Sequence, residues 1–421
     1  MKIMVVGGGG REHAIIKALR KNLEITEIFA LPGNGGIAAD AICADIAAKD
    51  LSGITAFARE RKIDFAVVAP DDPLVLGAVD LLDAIGIPCF GPNQAAAAIE
   101  GSKVFSKNLM KKYGIPTARF EVFRDPDKAV AYLKSEHMYP AVIKADGLAL
   151  GKGVLIAENE AEAVKAVHTI MTEKAFGESG NQVVVEEFLT GPEVSVLSFT
   201  DGETIVPMVS SMDHKRAFDH DRGPNTGGMG AIAPNPFYTE DIQKTCMETI
   251  FLPTIQAMKA EGRPFKGCLY FGLMLTPDGP RVIEYNCRFG DPEAQVVLPL
   301  LKTDLLTIMQ AVSQGKLNDV NVEFDSGAAC CVVAASGGYP VKYERGYPVS
   351  FGRAEYLPDV TVFHAGTKKT DSGLVTSGGR VLGVTATGPD LPRAIEKAYA
   401  AMNEISFKDM FYRWDIGGRC G

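Results

Sequence analysis

The chain lacks any spacing that would tie cysteines together or bind a structural metal. Its eight cysteines, at 43, 89, 246, 268, 287, 330, 331 and 420, form no C-x-x-C pair and no ligand-like pattern with histidine. In a chain of 421 residues they read as reduced thiols, mostly core filler, with Cys330 and Cys331 on alternating faces of an apolar strand. The six histidines include no H-x-x-x-H, which argues against zinc chemistry. No G-x-S-x-G occurs, so a serine hydrolase is not indicated. Long apolar runs are scarce as well. The longest, such as 328–335, are under half of the roughly 20 residues that a spanning helix needs. The first apolar stretch, 3–6, is too short for a signal peptide, so a cytoplasmic chain without a membrane partner is expected. Positive charge is in deficit: 43 Lys+Arg against 52 Asp+Glu gives 43 − 52 = −9. Such a surface repels phosphate backbones, and nucleic acid is not an expected partner.

What is present is globular in kind, with 46% apolar and 23% charged residues. At roughly 150 residues per domain, about three domains are expected. Up to about residue 100, short apolar strands at 3–6, 27–31, 65–68 and 87–90 alternate with helices at 12–23 and 51–61. This is the pattern of a parallel sheet covered on both faces. Ligands bind beyond the carboxyl ends of such strands, where Gly7 to Gly10 and Pro70-Asp71-Asp72-Pro73 lie. A helix at 103–113, stopped by Gly114-Ile115-Pro116, leads into a mixed unit at about 120–190. That unit has strands at 141–144, 154–157 and 183–187 and a helix at 160–172. A larger α+β unit, 194–325, holds a long helix at 239–260 and strands at 269–275 and 281–285. The rest is β-rich, with strands at 328–335, 360–363 and 380–386 and one helix at 391–404.

Four polar or glycine-rich stretches carry chemical information. Gly7 to Gly10 stands between a strand and a helix, as a tight turn or as a cradle for a phosphate. It is no dinucleotide fingerprint, because the third glycine position falls on Glu12 or His13 and no acid ends the second strand. Gly147 to Gly153 resembles a phosphate loop but lacks Walker spacing, so a lysine-bearing flap and a surface turn are both open. Glu284 and Asn286 share one strand face, as Mg²⁺ ligands or as a solvated edge. The charges that follow, Arg288, Asp291 and Glu293, favour a site, since such groups beside a buried strand are costly otherwise. Thr226-Gly227-Gly228-Met229-Gly230 reads as a mobile cover or a long connector.

Taken in order, several runs resemble one family over essentially the whole chain. They are Val6-Gly7-Gly8-Gly9-Gly10-Arg11-Glu12-His13, Glu100-Gly101-Ser102-Lys103, the runs 144–154 and 185–189, Asp213-His214-Lys215-Arg216, and the runs 223–231 and 283–293. The family is that of the phosphoribosylamine–glycine ligases (glycinamide ribonucleotide synthetases), ATP-grasp enzymes of purine synthesis. The resemblance implies an α/β chain in three parts. These are an N-terminal, Rossmann-like pre-ATP-grasp domain with a parallel sheet at 1–102, an ATP-grasp fold in two lobes at 103–325 with its small lobe at about 120–190, and a β-rich C-terminal domain at 326–421.

It also implies roles. Lys103 and Lys144 face the ATP phosphates, with Gly151 and Lys152 closing over them. Glu186, Glu187, Phe188 and Leu189 edge the adenine, and Glu193 points to the ribose. Glu284 and Asn286 hold Mg²⁺, with Mn²⁺ as an alternative. Gly8, Gly9, Gly10 and Asp71 hold phosphoribosylamine, and Asp291, Pro292 and Glu293 line the substrate side. Asp213, Lys215 and Arg288 serve the reacting groups. Gly8 and Asp71 depart from the family pattern, which usually has Asn and Glu there. The implied reaction joins glycine to 5-phosphoribosylamine through glycyl phosphate, releasing ADP and phosphate, on a chain read as a monomer. The rival readings are another ATP-grasp carboxylate–amine ligase and a non-catalytic nucleotide sensor on the same fold.

Overall fold

The computed structural model describes residues 1–148 and 153–418. The N-terminal unit is built on a five-stranded parallel sheet, in the order Ile42–Cys43, Glu27–Pro32, Lys2–Gly7, Phe65–Val68, Cys89–Phe90. Lys2 pairs with Glu27 and Ile3 with Phe65, so the apolar runs align side by side. Ile3, Met4, Val5 and Val6 have no exposed surface, as burial on both sheet faces requires. Two expected boundaries move. The first helix is Gly10–Leu19, not 12–23, because the Glu12 carboxylate turns back to accept the Gly9 N–H at 2.5 Å and starts the helix earlier. The strand expected at 87–90 shrinks to Cys89–Phe90, since Pro88 has no N–H for the ladder.

Helix Lys103–Tyr113 starts on Ser102, whose hydroxyl accepts the Phe105 N–H, and ends at Gly114 with φ 68°. It delivers the chain to two antiparallel four-stranded sheets. The smaller has the order Phe120–Phe123, Val183–Glu187, Ala141–Ala145, Val154–Ala157. The larger has the order Ile205–Pro207, Glu193–Thr200, Gly267–Thr276, Gly279–Asn286. The helix expected at 239–260 is one run of three parts: Glu240–Cys246, a π turn at Met247–Phe251, and Leu252–Ala260. Pro253 explains the π turn, because a proline inside a helix removes one i→i−4 bond and crowds the carbonyl behind it. The helix expected at 160–172 likewise ends in a π turn, His168–Thr172.

The C-terminal sheet has the order Met212–Asp213, Gly230–Ala233, Ala328–Ser336, Arg380–Gly388, Val360–His364. All nine residues of Ala328–Ser336 are buried. Ala329 and Cys331 face the core shared with the N-terminal unit, while Cys330, Val332 and Ala334 pack in the core that holds helix Leu391–Met402. The two cysteines therefore do lie on alternate faces. The stretch 212–233, expected within the larger α+β unit, contributes two strands to the C-terminal sheet. Only two and four residues long, those strands carry no local mark of their distant partner. Among the described residues no helix is long and apolar enough to cross a membrane.

Candidate active site

A cleft of 790 Å³ opens between the two antiparallel sheets, bordered by the N-terminal unit and by Met212–Asp213 of the C-terminal sheet. Its deepest charges form one chain. Glu186 lies between Lys107, at 2.8 Å, and Lys144, at 2.9 Å, and all three side chains are nearly inaccessible. Lys107 also donates to Thr117 Oγ1 (2.7 Å), whose hydroxyl donates to Val282 O (2.7 Å), tying the small sheet to the large one. Burial opposes ionisation of Glu186, but Lys144 and Lys107 outweigh it, and the carboxyl titrates below its ordinary value. Burial brings Lys107 down to about 8. Glu186, expected with its neighbours at the adenine edge, does line the cleft, and its carboxylate is engaged by the two lysines. Lys103 lines the same cleft, where its ammonium donates to Gly147 O at 2.6 Å. Gly151 and Lys152 lie outside the described residues.

A second carboxylate organises the opposite wall. Glu100, buried at the end of helix Gln94–Gly101, accepts from Asn286 Nδ2 (3.1 Å) and the Cys287 N–H (2.7 Å) and pairs with Arg288 (3.2 Å). Asn286 Nδ2 also donates to Tyr285 O at 2.9 Å. Both amide hydrogens are then engaged, which leaves Asn286 Oδ1 as the atom offered to the cleft. Glu284 lines the cleft two residues earlier on the same strand face. It pairs across the ladder with Gly272, so the neighbouring strand adds no third acid. Among the described residues no group of three or more His, Cys, Asp or Glu could hold a metal. Two oxygen donors fit Mg²⁺ nonetheless, since that ion takes its remaining ligands from phosphates and water.

Farther along lies an acidic pocket with one lysine. Lys215 Nζ pairs with Glu193 (3.1 Å) and stands 3.7 Å from Glu284. Glu193 and then Glu284 push that lysine well above its ordinary range. Glu193, expected at a ribose, lines the cleft and is paired there with Lys215. Asp213 is half-buried, with its Oδ1 inaccessible and unbonded, and desolvation, then Glu293, drive its carboxyl well above the usual range. Glu293 is in turn fixed by Ser195 Oγ (3.3 Å), itself hydrogen-bonded to Tyr270 OH at 2.8 Å. Asp291 pairs with Arg380 at 3.0 Å and accepts from Gln295 at 2.7 Å. Pro292 packs behind the Gly228 backbone, where an added Cβ would meet it at 2.4 Å.

The N-terminal loop departs from expectation. The Gly9 N–H is taken by Glu12, so it is not a free phosphate donor. None of Gly8, Gly9 and Gly10 lines the cleft itself. Instead Gly8 touches the next loop: a Cβ there would stand 2.3 Å from Gly33 O, and Asn34 Nδ2 donates to Gly8 O at 3.0 Å. Asp71 does line the cleft, with Oδ1 accepting the Asp72 N–H. Glu187 lies in the cleft wall but pairs with Arg281 at 3.2 Å, while Phe188 and Leu189 line the cleft beside it.

Comparison with known proteins accounts for nearly all of the chain. Three domain profiles of phosphoribosylglycinamide synthetase match in order: the N domain at 1–100, the ATP-grasp (A) domain at 101–294 and the C domain at 329–419. A phosphoribosylamine–glycine ligase of Caldanaerobacter subterraneus subsp. tengcongensis is 47% identical over 416 residues, covering 99% of both chains. The chain belongs to the phosphoribosylamine–glycine ligase family. A phosphoribosylamine–glycine ligase of Thermotoga maritima has the same structure, with TM-score 0.87, 34% identity, and 99% and 100% of the two chains covered. The trifunctional purine biosynthetic protein adenosine-3 of Gallus gallus is 47% identical over an aligned length of 422, with 99% of this chain and 42% of that protein covered. A biotin carboxylase of Campylobacter jejuni, at 16% identity and TM-score 0.74, shares the fold alone. The chain is an ATP-dependent ligase of purine biosynthesis that makes glycinamide ribonucleotide.

Four residues of this ligase site escape the sequence reading. Lys107 follows Lys103 by one helical turn, so the i, i+4 relation could have placed both on one face. Glu100 stands inside a recognised motif without an assigned role. Arg380 and Tyr339 have no local signal, because they enter from the C-terminal domain.

Proposed function

We propose that the ligation runs in this cleft in two steps through glycyl phosphate. The first forms a bond between a glycine carboxylate oxygen and the ATP γ-phosphorus and breaks the β–γ bridge, releasing ADP. In the second, the amine of 5-phosphoribosylamine attacks the glycyl carbonyl carbon. The C–N bond forms, phosphate leaves with its electron pair, and the amine loses a proton. The observation that carries this reading is the meeting of Lys103, Lys144 and Arg288 with Glu284 and Asn286 in a single cleft.

The chain contributes mainly position and charge, as phosphoryl transfer requires. Lys103 and Lys144 neutralise the phosphates, with Lys144 aimed by Glu186 and Lys107. Phe188 and Leu189 edge the adenine. Mg²⁺, or Mn²⁺ in its place, would be held by Glu284 and Asn286 and would neutralise further phosphate charge. Lys215 and Arg288 offset charge at the transferring group. Asp213, whose Oδ1 is unbonded, takes the amine proton. Asp71 and the joined loops at Gly8 and Gly33 hold the sugar phosphate. We place the enzyme in the cytoplasm as a monomer.

ADP release with each of ATP, glycine, phosphoribosylamine and Mg²⁺ omitted in turn tests the reading. ADP should form at useful rates only with all four. Equal release with bicarbonate replacing glycine would overturn it.

A further inference from the structure

Arg380 opens the long C-terminal strand Arg380–Gly388, yet its guanidinium lies at the ligase site and has no part in the steps just assigned. Its Nη1 donates to Gly227 O and to Asp291 O, each at 2.7 Å, with Gly228 O at 3.4 Å. Its Nη2 pairs with Asp291 Oδ2 at 3.0 Å. A Cβ on Gly227 would stand 3.0 Å from the guanidinium carbon, so glycine lets the backbone lie directly on Arg380. The Gly227 N–H is held as well, by the hydroxyl of Tyr339 at 3.1 Å. On the far side, Gly228 has φ 111°, and a Cβ there would be 2.6 Å from the unbonded Asp213 Oδ1. The loop, read from sequence as a mobile cover or a long connector, is a thin wall, clamped by two C-terminal side chains against the carboxyl that faces the reacting groups.

We propose that Arg380 is a positioning residue of the ligase, which holds the Gly227–Gly228 wall and Asp291 so that the acyl phosphate is closed to water. Its planar fork serves four acceptors at fixed angles, which a lysine ammonium cannot reproduce. Tyr339 assists from the same domain, so the reaction centre is complete only with the C-terminal domain docked on it. The inference rests on the glycyl phosphate reading. Where the wall loosens, water attacks the glycyl carbonyl carbon, a C–O bond forms, phosphate leaves, and the water proton passes to solvent. Glycine is regenerated and ATP is consumed without amide.

The ratio of ADP released to amide formed reads this directly. Wild-type enzyme should give close to one. R380K should give a ratio of roughly 3 or more and a glycine KM raised about tenfold, as a misplaced wall predicts. Its KM for ATP should stay within about threefold, because the phosphate-facing lysines share no partner with Arg380. Y339F should shift the ratio in the same direction by less, and millimolar guanidinium should lower the ratio of R380A. A purely structural role would lower the amount of active enzyme and leave the ratio at one. If R380K does not fold, Y339F decides. Wild-type ratio and wild-type glycine KM in a folded R380K, or in Y339F in that case, would overturn the assignment. Trapping of glycine hydroxamate by hydroxylamine in the wild type tests the acyl phosphate separately; its absence would sink that reading, whatever Arg380 does.

Discussion

At the scale of single residues, the site depends on carboxylates whose roles are set by what stands opposite them. Glu284 keeps cations on its open side, with Lys215 as its nearest at 3.7 Å. Glu284→Gln keeps the shape and removes the charge, and turnover should fall at least ~10²-fold, the scale of a lost transition-state charge interaction. Steady-state rates across a Mg²⁺ titration check this, and near-normal activity at limiting Mg²⁺ would place the ligands elsewhere. Glu186 is the reverse case, enclosed by Lys107 and Lys144. Lys107→Met leaves a buried carboxylate with one cation and should cost about 3–5 kcal/mol of stability. Urea denaturation of Lys107→Met and of the double variant with Glu186→Gln checks it. The double variant should regain stability over the single one, and no regain would mean the pair is not coupled.

At the scale of elements, loops rather than strands carry the close tolerances. The helix at Lys103–Tyr113 and the strands Phe65–Val68, Val154–Ala157 and Val183–Glu187 sit where apolar runs and turn residues place them. The loops after the first two strands meet backbone to backbone, with Gly33 N–H donating to Gly7 O at 3.1 Å. Gly8→Ala would push a Cβ to 2.3 Å from Gly33 O, and only a backbone shift relieves it. Such a shift should raise the KM for the sugar phosphate by about tenfold or more and leave that for ATP within about threefold. Initial rates with each substrate varied on one preparation distinguish the two. An ATP KM that moves alone would reassign the loop.

At the scale of the whole molecule, the N-terminal and C-terminal domains are joined through buried histidines. His13 on the first helix accepts the His364 N–H through Nδ1 (2.8 Å), so its Nε2 carries the proton shared with Asp40 (2.9 Å). Lys17 also pairs with Asp40, at 2.9 Å. Burial lowers His13 below its ordinary value, and burial, then His13, bring His364 down to about 3. Both histidines are neutral when folded and take up protons more readily when unfolded. Their contribution is therefore complete above pH ~6.5 and is lost as pH falls from there toward the folded value. Between pH 7 and 5, His364 should account for about 2 kcal/mol of lost stability. Denaturation midpoints at the two pH values measure the slope, and His364→Asn should flatten it. An unchanged slope would show that other groups dominate.

The same scale separates what was legible in the amino-acid order from what was not. Alternation of apolar runs with helical stretches, a serine cap, and glycines in left-handed turns are local properties, and the elements they mark follow from them. The shared face of Glu284 and Asn286 was legible too, because a two-residue spacing on one strand fixes it. Pairing across the chain was not. Met212–Asp213 and Gly230–Ala233 join the C-terminal sheet only because Ala328–Ser336 offers them an edge, which no local pattern announces. The Glu186 carboxylate lies between two lysines because two strands and a helix bring three charges together in a dry interior, where opposite charges must pair. Arg380 reaches Gly227 across 153 residues of sequence, so the clamp on the site exists only once the domains have packed.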